Sequence, residues 1–342
     1  VDEHPYPFPA LTTRERWVVT GTARGRDGDE HPYAFFVKVV QPWARSPLSH
    51  HVPEPLRTEL APLVPWRTEP DLYRSDLRDR LPVGLTVPRA FGVHDDPDDD
   101  STAIWLELVT GRPVPWDLDR HRHAAYLLGR LAASPSVAPL AIRVPPSPSA
   151  RGYADVWLAL NVIPDLRDDD FWRRPLVADA FDADLHARML AAVDALPRLL
   201  DELDSFPVMT AHGDACTRNL LGIGAAEFVM IDFGFWGPGP VGFDLGQLLL
   251  GEVHAGERPA STLPELERAC VPAYVDGLRD EGSAVTVEQV QRSHALLLTI
   301  YCAIPAMPFE HRDAAPTPAL RRLYAERAAA TRFVLDLLDA TT

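Results

Sequence analysis

His212-Gly213-Asp214-Ala215-Cys216-Thr217-Arg218-Asn219 and, farther on, Ile231-Asp232-Phe233-Gly234 carry three hard-oxygen side chains at fixed intervals. Asp214 and Asn219 stand five positions apart, Asp214 and Asp232 eighteen. Between them lie two short apolar runs, Leu220 to Ile223 and Phe228 to Ile231, bracketed by polar loops, which is the pattern of a β-hairpin. A hairpin folds the outer ends of its strands together, so two carboxylates and an amide converge on one cleft although they are distant in sequence. Phosphoryl transfer asks for such a set: oxygen ligands for the metal ions that neutralise phosphate charge, and a carboxylate that orients the attacking hydroxyl. Each Asp alone is also an ordinary turn former; the joint spacing is what points to chemistry.

Outward from this segment the chain changes character. Trp17 to Val19 and Phe35 to Val40 are β-branched and aromatic runs flanking Gly25, Asp27, Gly28 and Asp29, the composition of a hairpin. Trp66 to Arg80 predicts a helix; Arg89 to Val93 and Ala103 to Val109 predict two further strands around the acidic turn Asp95 to Asp100. After the break Thr110 to Pro115 the periodicity is mostly helical, over Leu118 to Ala133, Ala178 to Leu203, Phe243 to Val253, Leu263 to Arg279, Val287 to Ile304 and Pro318 to Leu338. Ser134 to Ala150, crowded with Pro and Ser, predicts irregular structure. The expected architecture is α+β, a strand-rich lobe over residues 1–109 and a larger helical lobe over 110–342.

The HGD tripeptide, its five-residue step to Asn219 and the DFG of 232–234 resemble the protein-kinase-like fold, and the HGD form points to its aminoglycoside phosphotransferase and choline kinase branch. The resemblance spans nearly the whole chain. It implies that Asp214 is the catalytic base or hydroxyl-orienting carboxylate, that Asn219 and Asp232 hold Mg2+, and that His212 braces the loop. Asp244, in Gly242-Phe243-Asp244-Leu245-Gly246, is implied as structural support hydrogen-bonding back to that loop. Lys38, the chain's only lysine, stands in the apolar strand Phe36-Val37-Lys38-Val39-Val40, where these kinases place the lysine that pairs the α- and β-phosphates. A snorkelling strand lysine is the competing reading. Glu69 is its implied partner, with Asp71 and Glu59 as alternatives, and backbone groups of Glu107, Leu108 and Val109 look like the purine-binding hinge of an ATP or GTP site.

Two departures stand out. Cys216 occupies the position where protein kinases carry a phosphate-contacting lysine; Arg218 is either a replacement positive charge or a surface arginine. No GxGxxG precedes Lys38, and Thr12, Thr13 and Arg14 are the alternative phosphate contacts. A nucleotide-binding pseudokinase acting through protein contacts is therefore the rival to an enzyme.

Only nine residues separate Gly234 from Asp244, too few for a protein-kinase activation segment, so a small-molecule hydroxyl acceptor is expected rather than a polypeptide. The formal net charge of −16 disfavours nucleic acid and anionic membranes. Asp165, Asp168, Asp169 and Asp170 offer contacts to a cationic acceptor such as an aminoglycoside antibiotic, with Trp172 or Trp157 for stacking; a solvated acidic loop is the plainer reading. The sequence leaves open whether the acceptor is an antibiotic or a metabolite. Three separated cysteines without CxxC spacing, a start at Val1 to Ala10 unlike a secretory signal, and no apolar run of membrane-spanning length suggest a cytoplasmic setting.

Overall fold

The computed structural model describes the chain apart from residues 6–9, 27, 48, 50–53, 55, 56, 58–63, 111–113, 144–148, 225, 309 and 310. Asp27, Glu59 and residues 111–113 of the break after Thr110 lie outside the described residues.

The N-terminal lobe is an antiparallel sheet. Its strands are β1 (Asp2–Glu3), β2 (Thr13–Arg24) and β3 (Glu30–Val40), then, beyond a short strand β4 (Leu85–Thr86), β5 (Ala90–Asp96) and β6 (Ser101–Glu107). The sheet runs in the order β1-β2-β3-β6-β5, so β3 is central. Pairing of β2 with β3 extends from Thr13↔Val40 to Arg24↔Glu30, well beyond the apolar runs. Its outer half is largely exposed, and hydrophobicity marks only the half that packs. Burial is greatest at the end of β3, where Val37, Lys38, Val39 and Val40 are all buried; Val40 forms a small core with Ile104 and Leu106 of β6.

The expected helix over 66–80 is two pieces, Thr68–Arg74 and Leu77–Arg80. Ser75 leaves helical geometry at ψ −179°, and its hydroxyl donates back to the Leu72 carbonyl at 2.6 Å, the local competition that makes serine a poor helix interior.

The C-terminal lobe is helical, with Leu118–Ala133 packed against Leu263–Asp280. The two approach closely because Gly129 faces the Tyr274 carbonyl and Gly277 the Tyr126 carbonyl, where an added Cβ would lie 2.0 Å away in either case. The expected helix over 178–203 also divides, into Pro175–Ala180 and Ala183–Leu203, with the Asp182 carboxylate accepting from the Leu185 N–H at 2.9 Å to start the second. The Pro/Ser-rich stretch includes a short helix, Ala138–Arg143. Two stretches, Ala154–Val162 and Thr299–Ala303, are π-helical; the second ends the expected helix 287–304 as an α-helix at Leu298. Among the described residues no helix is long and apolar enough to cross a membrane.

Within this helical lobe lie β7 (Val208–Ala211), β8 (Leu220–Ile223), β9 (Glu227–Met230) and β10 (Gly237–Pro240). β8 and β9 form the anticipated hairpin, from Leu220↔Met230 to Ile223↔Glu227. β4 joins it in parallel through Leu85↔Phe228 and Thr86↔Val229, so a segment preceding the last strands of the upper sheet is tied to the lower lobe. β10 pairs antiparallel with β7, which makes the short Gly/Pro-rich segment after Gly234 a strand.

Candidate active site

The hairpin brings both aspartates and the asparagine to one cleft. Both amide hydrogens of Asn219 go to Asp214, at 2.9 Å to its carbonyl and 3.0 Å to Oδ2, so the Asn219 Oδ1 remains for another partner. Gly213, which precedes Asp214, has φ +86°, and a Cβ there would lie 2.0 Å from the Phe235 carbonyl. Only glycine combines that backbone with that contact. Asp232 also has a left-handed backbone, φ 64°, a conformation aspartate tolerates better than most residues, and the buried Phe233 ring packs 4.9 Å from His212 and 5.9 Å from Tyr73.

Two buried side chains fix the loop. Burial pushes the His212 imidazole down to about 4, so the ring is neutral near pH 7; Nε2 lies 3.1 Å from the Ile231 carbonyl, and Nδ1 accepts from the Asp214 N–H at 3.3 Å. Asp244, in the first turn of the helix Phe243–His254, accepts from the His212 N–H at 2.8 Å and the Gly213 N–H at 2.9 Å. Burial raises the Asp244 carboxyl to about 6, which these two donors partly offset.

Lys38 closes the cleft from above. Its Nζ donates to Glu69 Oε2 at 2.6 Å and to Asp232 Oδ1 at 2.8 Å, and Lys38 and Glu69 are each 4% exposed. Burial disfavours the ammonium charge, but Asp232 and Glu69 outweigh it and raise its pKa. On Asp232 burial is likewise overcome, by Lys38, and the carboxyl is held below its usual range. Asp71 pairs instead with Arg74 at 3.2 Å. Burial first, and the charge of Asp232 second, push Asp214 up to about 7, so near neutrality it is poised to take up a proton.

Three cavities run through this centre in sequence. One of about 300 Å³ is bounded by Phe36, Leu106, Leu221 and Ile231 and by Glu107 to Val109, with Lys38 and Asp232 at its inner end. Glu107 itself is exposed, its carboxylate accepting from the Arg89 N–H at 3.2 Å, so it can offer that cavity only backbone. A second, about 290 Å³, holds Thr12, Thr13, Arg16, Asp214, Arg218 and Asp232. A third, about 340 Å³, shares Asp214, Phe235 and Gln247 with the second and continues into the helical lobe.

Arg14 does not line these cavities; it is engaged with Asp99 and Glu15. Arg16, not singled out from the sequence, borders the first two, opposite Lys38 in the β2–β3 register. Its signal was present in strand alternation, but the register shift between Thr13 and Glu15 hides which side chains face inward. Arg218 reaches the cleft while its Nη2 pairs with Glu257 at 2.8 Å. The acidic segment is not brought to Asp214. Asp165 pairs with Arg312, Asp170 with Arg173, and the Asp168 carboxylate accepts from the Asp170 N–H at 3.0 Å. Asp169 is exposed, and Trp172 stacks on His186 at 3.7 Å while donating to the Leu166 carbonyl. None of these residues lines the cavity beyond Asp214.

Asn219 and Asp232 offer hard oxygen donors of the kind Mg2+ prefers, and that ion normally completes its shell with phosphate and water rather than with a full protein cage. Among the described residues no group of three or more His, Cys, Asp or Glu is placed to hold a metal ion.

The sequence model of the Phosphotransferase enzyme family matches residues 12–277. No curated protein matches the chain. Among solved structures, an aminoglycoside phosphotransferase from Alicyclobacillus acidocaldarius superposes with a TM-score of 0.52 at 15% identity, over 100% of this chain and 92% of that one. A choline/ethanolamine kinase family protein from Mesorhizobium loti gives 0.47 at 15% identity, over 94% and 92%. A spectinomycin phosphotransferase in complex with ADP and spectinomycin gives 0.49 at 12% identity, over 96% and 93%.

Proposed function

The chain belongs to the phosphotransferase enzyme family and is a small-molecule kinase, and from that premise we propose that it transfers the γ-phosphoryl group of ATP or GTP, with Mg2+, to a hydroxyl group seated at Asp214. The observation that carries this reading is the position of Asp214, shared by the cavity that holds Lys38's partner Asp232 and by the one that continues into the helical lobe. The base would lie against Leu106 and Ile231 with its edge on the backbone of Glu107 to Val109, and Lys38 would hold the α- and β-phosphates.

Asn219 and Asp232 would hold the metal, which when bound neutralises charge on the phosphates. Asp214 orients the acceptor hydroxyl and takes its proton. The acceptor oxygen bonds to the γ-phosphorus, the bond from that phosphorus to the bridging oxygen breaks, and nucleoside diphosphate leaves. His212 and Asp244 act through the backbone of the loop, holding Asp214 where it can meet the hydroxyl.

The test is replacement of the carboxylate. Asp214→Asn is expected to lower kcat by about 10²–10⁴-fold, the range for a lost general base, with ATP affinity retained. A chain that binds nucleotide yet phosphorylates no hydroxyl compound, wild type and variant alike, would be a pseudokinase and would end this reading.

A further inference from the structure

The acceptor class is written in the cavity beyond Asp214, and this inference rests on the phosphotransfer reading above. Its volume of about 340 Å³ sits at the small end of small-molecule sites, ~300–1,000 Å³, with room for a ring or fused ring pair rather than an oligosaccharide. Its walls are Tyr153, Phe235, Phe243, Leu297, Leu298 and Tyr301. Tyr153 and Tyr301 stack at 4.6 Å and 26°, and Phe243 meets Tyr301 edge-on at 5.5 Å and 77°.

Charge is nearly absent from this surface. Besides Asp214, its titratable groups are His254, Cys302 and the two tyrosines. Burial, with Arg327 adding to it, pushes His254 down to about 3; burial pushes Cys302 up to about 12 and raises both phenols, so all four are neutral near pH 7. A polycation entering here would shed water against a single carboxylate, and a charge buried without a partner opposes binding. An aromatic cage for a quaternary ammonium needs ring faces converging on one point. Here one face of Tyr153 and one of Tyr301 are spent on each other, and the leucines complete an aliphatic wall.

The backbone supplies a second, independent observation. One π-helical stretch, 299–303, supplies Tyr301 and Cys302 to this cavity, and a second, 154–162, starts directly after the wall residue Tyr153. Widened helical turns recur at functional sites because the extra residue re-aims neighbouring side chains.

We propose that the acceptor is an uncharged alcohol or phenol carried on an aromatic or similarly apolar ring, which packs on Tyr301, Phe243 and Leu298 and presents its hydroxyl to Asp214. Polycationic aminoglycosides and quaternary amino alcohols are excluded by the same walls.

Saturation-transfer NMR on Asp214→Asn enzyme, with 2-naphthalenemethanol, kanamycin and choline as probes, reads occupancy without turnover. Mass spectrometry of the wild type with Mg2+ and ATP reads products. The naphthyl alcohol is expected to show transfer and to be phosphorylated. Tyr301→Ala, or Tyr301→Leu should the truncation unfold, is expected to weaken its binding tenfold or more, with ATP affinity reporting an intact fold. Binding sensitive to Tyr301 without a phosphorylated product from any probe sustains the pocket assignment and counts against phosphotransfer at Asp214. No transfer to the naphthyl alcohol, or Tyr301-sensitive binding of kanamycin or choline instead, overturns the assignment; magnesium-dependent phosphorylation of either compound would still leave the phosphotransfer reading standing.

Discussion

Arg16 shows how much a single side chain can carry when a motif is missing. No glycine-rich loop precedes Lys38, and the cleft that would take the triphosphate is lined by Thr12, Thr13 and Arg16. A guanidinium there would supply the positive charge that backbone amides supply elsewhere. Arg16→Ala is expected to raise KM for ATP by about tenfold, equivalent to about 1.4 kcal/mol, with a smaller change in kcat. Initial-rate kinetics at varied ATP would check it, and an unchanged KM would remove Arg16 from the phosphate site. His294 makes a different point. It is fully buried on the helix Val287–Leu298, and burial pushes its imidazole down to about 4. The folded pKa is depressed below the ~6.5 of an unfolded chain, so on acidification the unfolded state takes the proton first. Stability from this group is therefore lost as pH falls from ~6.5 toward 4, on the order of 2 kcal/mol between pH 7 and pH 5. Urea midpoints at those two pH values are expected to differ less in His294→Gln than in the wild type; equal differences would show that this histidine titrates alike in both states.

At the scale of elements, the loop is held by the start of a helix whose Phe243 and Gln247 also line the cavities at Asp214. Asp244 reaches from the helix Phe243–His254 to the His212 and Gly213 amides, fixing the loop against the hairpin β8–β9. Asp244→Ala leaves one buried and one partly buried N–H donor without this partner, and about 3 kcal/mol of stability is expected to go with them. Thermal unfolding would show that loss, and kcat should fall with KM for ATP little changed; a variant with wild-type melting and wild-type kcat would deny the bracing role. The hairpin, the long helices and the strand carrying Lys38 were legible because apolar periodicity reports packing directly. Breaks at Ser75 and Asp182 were not, since a side chain bonding to its own backbone leaves periodicity untouched. The π-helical stretches were equally hidden, because one extra residue in a turn changes which side chains point inward without changing composition.

At the scale of the molecule, the two lobes meet through Lys38, which bridges Glu69 above and Asp232 below. A nucleotide with its metal should add to this bridge and stabilise the closed pair of lobes. At 100 times its Kd, ATP with Mg2+ is expected to raise the unfolding free energy by about 2.7 kcal/mol. EDTA should abolish most of that gain in a thermal-shift assay. A shift of equal size without metal would argue against Asn219 and Asp232 as its ligands.

The sequence by itself determined the family and the meeting of Asp214, Asn219 and Asp232, because a local hairpin folds together the segments that carry them, and it singled out Lys38 as the chain's only lysine, set in an apolar strand. Tertiary structure alone decided what surrounds them. Arg16 reaches the cleft beside Asp214 through a strand register, and the cavity beyond Asp214 gathers Tyr153, Phe243 and Tyr301 from segments far apart in the chain. The acidic run at 165–170, conspicuous in sequence, is largely occupied by its own arginines and caps. Local spacing fixes a constellation only where one turn carries it; a pocket wall is assembled by packing, and packing is not written in any single window of sequence.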